Sequence, residues 1–195
     1  DRSKNTREKR YLTFSNQSDV TLFKKLVLTA VYDYRQRDNL FKYRNNTFEY
    51  SRQQGVVETF TSGSVENSYR EIHQTYKGHN VNIYGTYENS WGGHNLKITA
   101  GGQYEDYRST SLDAKQTDLS SDNIDSFTVA TGPITLSQEI LAYRTLGFFG
   151  RVNYDYEGRY IFEASARGDG SSRFEPDHRW GFFPSVSAGW VLTQE

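Results

Sequence analysis

The chain has 195 residues, 35% of them apolar and 24% charged, with 23 basic against 24 acidic side chains and a net charge of −1. That balance gives no electrostatic case for nucleic acid or an anionic membrane surface. The absence of Cys removes disulfides, thiolate metal sites and cysteine nucleophiles together. No stretch approaches the roughly 18 apolar residues of a membrane helix. Aromatic residues nevertheless number 15 Tyr, 12 Phe and 3 Trp, far above disordered chains, so a mean hydropathy of −0.81 reads as a polar, all-β protein. The chain lacks Met and opens on a polar run, Asp1 to Arg10, which reads as an internal segment of something larger.

Period-two alternation, broken by turn residues, recurs along the chain. After a less clear strand around Tyr11 to Leu22, Leu26, Leu28, Ala30, Tyr32 and Tyr34 alternate with Val27, Thr29, Val31, Asp33 and Arg35. Val81, Ile83, Gly85 and Tyr87 alternate with Asn82, Tyr84, Thr86 and Glu88, and beyond Trp91-Gly92-Gly93 the pattern resumes from Leu96 to Glu105. Leu146, Phe148, Gly150, Val152, Tyr154 and Tyr156 then oppose Arg151, Asn153 and Asp155. Past Glu157-Gly158-Arg159, Tyr160, Phe162, Ala164 and Ala166 oppose Glu163, Ser165 and Arg167, and Pro184 to Leu192 closes the series.

The breaks near Phe23–Lys25, Ser90–Gly93 and Glu157–Arg159 are short, whereas those near 38–67, 108–142 and 169–181 are long. Strict alternation of short and long connections is the signature of an antiparallel up-and-down transmembrane β-barrel. Its strands need about 9–11 residues to cross a bilayer, and closure satisfies every backbone group where hydrocarbon offers no partner. One face must be apolar. The other holds Arg151, Asp155, Glu163 and Arg167, the candidates for a lumen-facing wall. Phe23, Trp91, Tyr154, Tyr156, Tyr160 and Trp190 lie level with the short turns and read as an interfacial girdle. Alternation alone also fits a soluble sheet with one wet face, so the alternative is a soluble carbohydrate-binding or adhesin module.

The last third carries a specific pattern. Tyr143-Arg144 and Phe148-Phe149-Gly150-Arg151-Val152-Asn153-Tyr154 lead into Arg167-Gly168-Asp169-Gly170-Ser171-Ser172-Arg173-Phe174, then Arg179-Trp180-Gly181-Phe182-Phe183-Pro184-Ser185-Val186-Ser187-Ala188-Gly189-Trp190. Over Leu141 to Leu192 this resembles the barrel of the SusC/RagA-like TonB-linked outer-membrane receptors of Bacteroidota. The resemblance implies that residues 1–195 are about seven strands of a 22-stranded barrel with a plugged lumen, an open sheet if seen alone. It implies a plug domain and TonB box outside this segment, the cell outer membrane of a Gram-negative bacterium, and nutrient uptake of oligosaccharides or peptides. It also implies two protein partners, TonB and a SusD-like surface lipoprotein, with the lipid bilayer as the third neighbour.

On physical grounds Gly168 and Gly170 are expected to supply positive φ where a strand leaves the sheet. Asp169, Ser171 and Ser172 are expected to bond nearby backbone N–H groups and hold that turn. Arg173 and Arg179 could pair with Asp169, Glu175 or Asp177, Trp180 closes the loop motif, and Pro184 suits a first strand position. Phe41, Tyr43, Phe48 and Tyr50, in the first long connection, are possible sugar-stacking aromatics. The competing reading is that these rings extend long strands above the membrane. Asp118, Asp122, Asn123 and Asp125 cluster in the second long loop, but their spacing matches no EF-hand, and the four His lack zinc spacing. No catalytic constellation is present. The expectation is a non-enzyme with no metal and no cofactor.

Overall fold

The computed structural model describes residues 4–60 and 66–192, leaving aside the side chains of 48–52, 59 and 60. Nine strands are described: β1 (Lys4–Leu22), β2 (Leu26–Asn45), β3 (Phe48–Gln53), β4 (Val56–Phe60), β5 (Ser68–Trp91), β6 (His94–Thr117), β7 (Ile134–Tyr156), β8 (Tyr160–Ser171) and β9 (Trp180–Trp190). Seven form one sheet in the order β1-β2-β5-β6-β7-β8-β9, and β3 pairs with β4 in a separate antiparallel hairpin. Sequential neighbours throughout the large sheet give the expected up-and-down meander.

All three short connections are tight turns. Gly92 and Gly93 take φ of 50° and 84°, two consecutive left-handed residues, which is the two-residue hairpin turn whose twist matches the flanking strands. Glu157 and Gly158 (φ 55° and 65°) turn β7 into β8, and Phe23 and Lys24 (φ 54° and 60°) turn β1 into β2. The long connections hold less loop than the sequence predicts. β5 begins at Ser68, β6 runs to Thr117 and β7 begins at Ile134. β5 and β6 are 24 residues each, more than twice what a bilayer requires.

The chain divides into two compact units. One comprises residues 1–12, 36–76 and 109–141, and contains the β3–β4 hairpin and the 118–133 connection. Its centre is polar: Arg44 and Tyr69 are 1% and 2% exposed, beside the buried Ser68 and Leu119. The other comprises residues 13–35, 77–108 and 142–195 and contains the three tight turns and all of β8 and β9. In this second unit Phe148, Phe162 and Val186 are 55%, 42% and 69% exposed. A soluble module would bury such side chains in a dry interior. Among the described residues only Tyr69 and Leu119 are buried apolar side chains, and these residues build no conventional hydrophobic core.

Candidate functional site

The β7–β8–β9 ladder sorts its side chains onto two faces. Its register pairs Phe148 with Gly168, Val152 with Ala164, Tyr154 with Phe162 and Tyr156 with Tyr160. Onward to β9 it pairs Tyr160 with Trp190, Ala164 with Val186, Gly168 with Phe182 and Gly170 with Trp180. Successive residues point to opposite faces, so these all share one apolar face. On β7 that face runs from Leu146 to Tyr156, the length of one bilayer crossing.

Glycine on this face makes room for rings. A Cβ at Gly170 would meet Trp180 Cε2 at 2.9 Å, and one at Gly102 would meet Phe148 Cδ1 at 3.3 Å. The Trp180 ring stacks on Phe148 (centroids 6.3 Å apart, planes at 12°). Gly168 and Gly170 are thus strand residues paired with β9, and neither has the positive φ expected of them. At Gly170 the need for glycine is space for the Trp180 ring, whereas a Cβ at Gly168 would meet only the Gly181 carbonyl at 3.9 Å.

Near the tight turns of this unit, aromatic side chains gather around a histidine. His94 stacks on Trp91 (5.5 Å) and approaches Tyr156 (4.7 Å), while its Nδ1 lies 2.7 Å from the Tyr154 hydroxyl. Tyr160 stacks on Trp190 at 6.3 Å. His94 carries no signal in the sequence beyond its place just after Gly92-Gly93.

The opposite face is polar, and the register brings all four expected wall residues onto it: Arg151 opposite Ser165, Asp155 opposite Ile161, Glu163 opposite Asn153 and Arg167 opposite Phe149. They form two groups. Arg151 Nε lies 3.7 Å from Glu163 Oε1, and Asn153 Nδ2 donates to Glu163 Oε2 at 2.5 Å. Arg167 Nε donates to both Asp169 oxygens (2.8 and 2.7 Å), and its Nη2 donates to Gln103 Oε1 at 3.0 Å. This ion pair occupies the space a side chain at Gly147 would need. Asp155 stands apart from both, accepting from Asn95 Nδ2 (2.9 Å) and from the Gly158 N–H (3.1 Å), and so ties down a turn.

The Arg167–Asp169 pair borders a cavity of about 490 Å³, also lined by Gln103, Glu105, Phe174, Arg179 and Phe183. The connection beside it differs from expectation in its partners. Asp169 binds Arg167 rather than a turn N–H. Ser171 Oγ accepts from the Arg173 N–H within the turn (3.3 Å), whereas Ser172 Oγ accepts from the Arg144 N–H of β7 (2.8 Å) and ties the turn to that strand. Arg173 lies over the Tyr143 ring at 3.8 Å, and Tyr143 stacks on Tyr107 at 4.9 Å. Arg179 Nε donates to the Phe174 carbonyl at 3.0 Å.

Pro184 is the fifth residue of β9, not the first. The hydrogen bonds Val191 N–H to Arg159 O and Ser171 N–H to Arg179 O fix which pairs of the ladder exchange bonds. Counting alternately from them, Pro184 and Ala166 form a non-hydrogen-bonded pair. The nitrogen of Pro184 therefore points away from β8 and costs that ladder no donor.

In the first unit, Phe41 and Tyr43 lie in β2 rather than in a loop, and each ring faces an arginine: Arg7 at 4.7 Å from Phe41 and Arg70 at 5.9 Å from Tyr43. The side chains of Phe48 and Tyr50 lie outside the described residues. Arg70 also pairs with Asp113, its Nε donating at 2.8 Å, and that hydrogen bond holds the Asp113 carboxyl below the usual carboxylate range despite an opposing desolvation. The acidic loop of the second long connection is arranged around Arg44. That guanidinium donates to Asn67 Oδ1 (2.6 Å) and to the Ser121 carbonyl (3.2 Å), with Asp122 and Asp125 oxygens at 3.5 and 3.8 Å.

Comparison with known proteins gives three concordant results. The family model described as "TonB dependent receptor-like, beta-barrel" matches residues 1–195. The chain is 36% identical over 118 residues to TonB-dependent receptor SusC of Bacteroides thetaiotaomicron, covering 58% of this chain and 11% of that protein. It is 32% identical over 114 residues to TonB-dependent receptor P3 of Formosa agariphila, covering 57% of this chain and 11% of the relative. A solved structure of the RagAB peptide transporter superposes with a TM-score of 0.78 at 21% identity, over 96% of this chain and 20% of that one. The chain thus spans about a tenth of the curated relatives' length.

Proposed function

The chain belongs to the TonB-dependent receptor β-barrel family, of the SusC/RagA-like kind, and we propose that it forms barrel wall and outer loops of a receptor importing oligosaccharides or peptides across the outer membrane. The observation that carries this reading is the sorting of the β7–β9 ladder. Exposed Phe148, Phe162, Phe182, Val186 and Trp190 occupy one face, and paired charges occupy the other. Oil against the first face removes the cost of exposing it. Water in a lumen hydrates the second. Arg151, Asp155, Glu163 and Arg167 are then residues of the lumen wall, and His94, Trp91, Tyr160 and Trp190 sit at one lipid–water boundary.

No bond is made or broken in this mechanism. The solute is captured at the outer face, where the long strands and the 118–133 connection lie, with a SusD-type lipoprotein as the capturing partner. Release inward follows plug movement coupled to TonB, so the energised step belongs to parts of the receptor beyond this wall. The wall's contribution is a rigid, polar surface along the route.

The test is charge placement in the full-length receptor. Glu163→Lys and Arg151→Glu should change solute uptake while leaving the amount of folded receptor in the outer membrane unchanged. Phe162→Arg, on the other face, should prevent insertion, because an arginine at the bilayer midplane costs about 2–4 kcal/mol. Loss of insertion with Glu163→Lys and normal insertion with Phe162→Arg would reverse the assignment of faces.

A further inference from the structure

Phe183 is an exposed apolar ring on the face that carries the paired charges. It is 60% exposed, and its pairing with Arg167 places it on the charged face, not with its neighbour Phe182 on the apolar one. Lipid explains the exposed rings of the apolar face and cannot explain this one. The ring is also seated: a Cβ on Gly181 would come within 2.8 Å of Phe183 Cζ, so glycine lets the ring rest over its own strand. Beside it lies the 490 Å³ cavity, a volume within the usual range for small-ligand sites.

The polar lining is charge-balanced. Two guanidiniums, Arg167 and Arg179, stand with two carboxylates, Asp169 and Glu105. The Arg167 charge is met by both oxygens of Asp169, and Arg179, whose Nε donates to the Phe174 carbonyl, is offset in formal charge by Glu105, so the lining as a whole carries no net charge that would select an anionic or a cationic ligand. What remains are planar groups with spare hydrogen-bonding capacity: the Gln103 amide, whose NH2 group is still free to donate, and the Glu105 carboxylate, engaged only by a 3.4 Å contact from Thr145 Oγ1. A neutral molecule with many hydroxyls and an apolar C–H face fits both halves of this lining, the hydroxyls on Gln103 and Glu105 and the C–H face on Phe183.

We propose that Phe183, Gln103 and Glu105 form a wall subsite for one neutral sugar residue of a passing oligosaccharide. This rests on the importer reading above and narrows its solute class. Binding is measured by calorimetry on detergent-purified full-length receptor, with maltotetraose, xylotetraose and mannotetraose as sugar probes and tetraglycine as peptide probe. Uptake of the same molecules is followed in cells.

At least one tetrasaccharide should bind, and Phe183→Leu and Gln103→Ala should each weaken it by about three- to tenfold, one hydrogen bond or ring contact apiece. Phe183→Trp should restore binding, which a purely space-filling role would not require. Phe182→Leu, one residue away on the apolar face, should leave affinity unchanged. Heat-modifiable migration on gels shows that each variant is folded, and Phe183→Leu keeps an apolar side chain where Phe183→Ala would leave a hole. Sugar uptake with unaltered affinity in Phe183→Leu overturns the subsite while the importer reading stands. Tetraglycine binding in place of every sugar overturns the sugar assignment. Uptake of neither class removes the importer reading and the subsite with it.

Discussion

Gly101→Ala tests how closely the strands of the second unit are fitted together. An ideal Cβ on Gly101 would lie 2.7 Å from Tyr84 Cα, and nearer still to the Ile83 carbonyl oxygen and Tyr84 Cβ. Two of these atoms are backbone, so no rotamer change relieves the clash. Strand β6 or β5 must move, and movement stretches ladder bonds whose normal N···O length is about 2.9 Å. Overpacking of this kind costs typically about 1–3 kcal/mol, and the backbone position puts Gly101 at or above the top of that range. Gly101 does not have a positive φ, so alanine is conformationally allowed and gains about 0.4–1 kcal/mol from a less flexible unfolded chain. Gly150 is the matched control: it lies in β7, lacks a positive φ, and a Cβ there meets nothing within 4 Å. Urea unfolding of the full-length receptor in lipid vesicles should show Gly101→Ala destabilised by about 2–3 kcal/mol and Gly150→Ala unchanged or slightly stabilised. Equal stability of the two variants would refute the reasoning.

In the first unit, Arg44→Met removes a buried guanidinium that joins β2 to the 118–133 connection. The exposed carboxylates it leaves stay hydrated, so the cost should be about 2–3 kcal/mol, toward the low end for a broken buried pair. It should appear as faster amide exchange at 118–133. Arg44→Lys should not rescue it, because an ammonium cannot reproduce the fork that reaches Asn67 and Ser121 together. The Arg70–Asp113 pair predicts a pH dependence of the same unit. With the folded carboxyl held below its ordinary value of 3.8, the stabilisation is fully present above that pH and is lost as pH falls through the folded value. Asp113→Asn should abolish that acid-side change in amide exchange. Gly93→Val places a β-branched residue at φ 84° and should cost about 1–2 kcal/mol, read as slower or incomplete assembly of the β5–β6 hairpin.

The strands legible in the sequence are those with one apolar and one polar face. From Leu146 to Tyr156 the two faces differ in polarity, and the pattern is plain. The same strand is illegible at Ile134–Tyr143, where apolar and polar residues are almost all exposed alike, and β5 at Ser68–Tyr76, where the adjacent Ser68 and Tyr69 are both buried, so neither stretch keeps a period of two. The β3–β4 hairpin falls inside the 38–67 stretch that the sequence reads as loop. Gly170 misleads because glycine marks turns more often than it marks room for a ring, and only the register with Trp180 separates the two. Of the site, the four charges are legible from their parity alone. Their grouping is not, since it takes Gln103 from two strands away to complete the Arg167 cluster. Arg44 is invisible to sequence: its partners lie 23 and 77 residues further on.

Because this segment brings no native cysteine, the assignment of faces can be measured residue by residue. Single cysteines placed from Phe162 to Arg167 in the full-length receptor, in native outer membranes, are challenged with a small water-soluble maleimide. Labelling should alternate, with Glu163, Ser165 and Arg167 positions reacting and Phe162, Ala164 and Ala166 positions protected until the membrane is dissolved. Uniform labelling along β8, or protection of the odd positions instead, would contradict a wall with lipid on one side and water on the other.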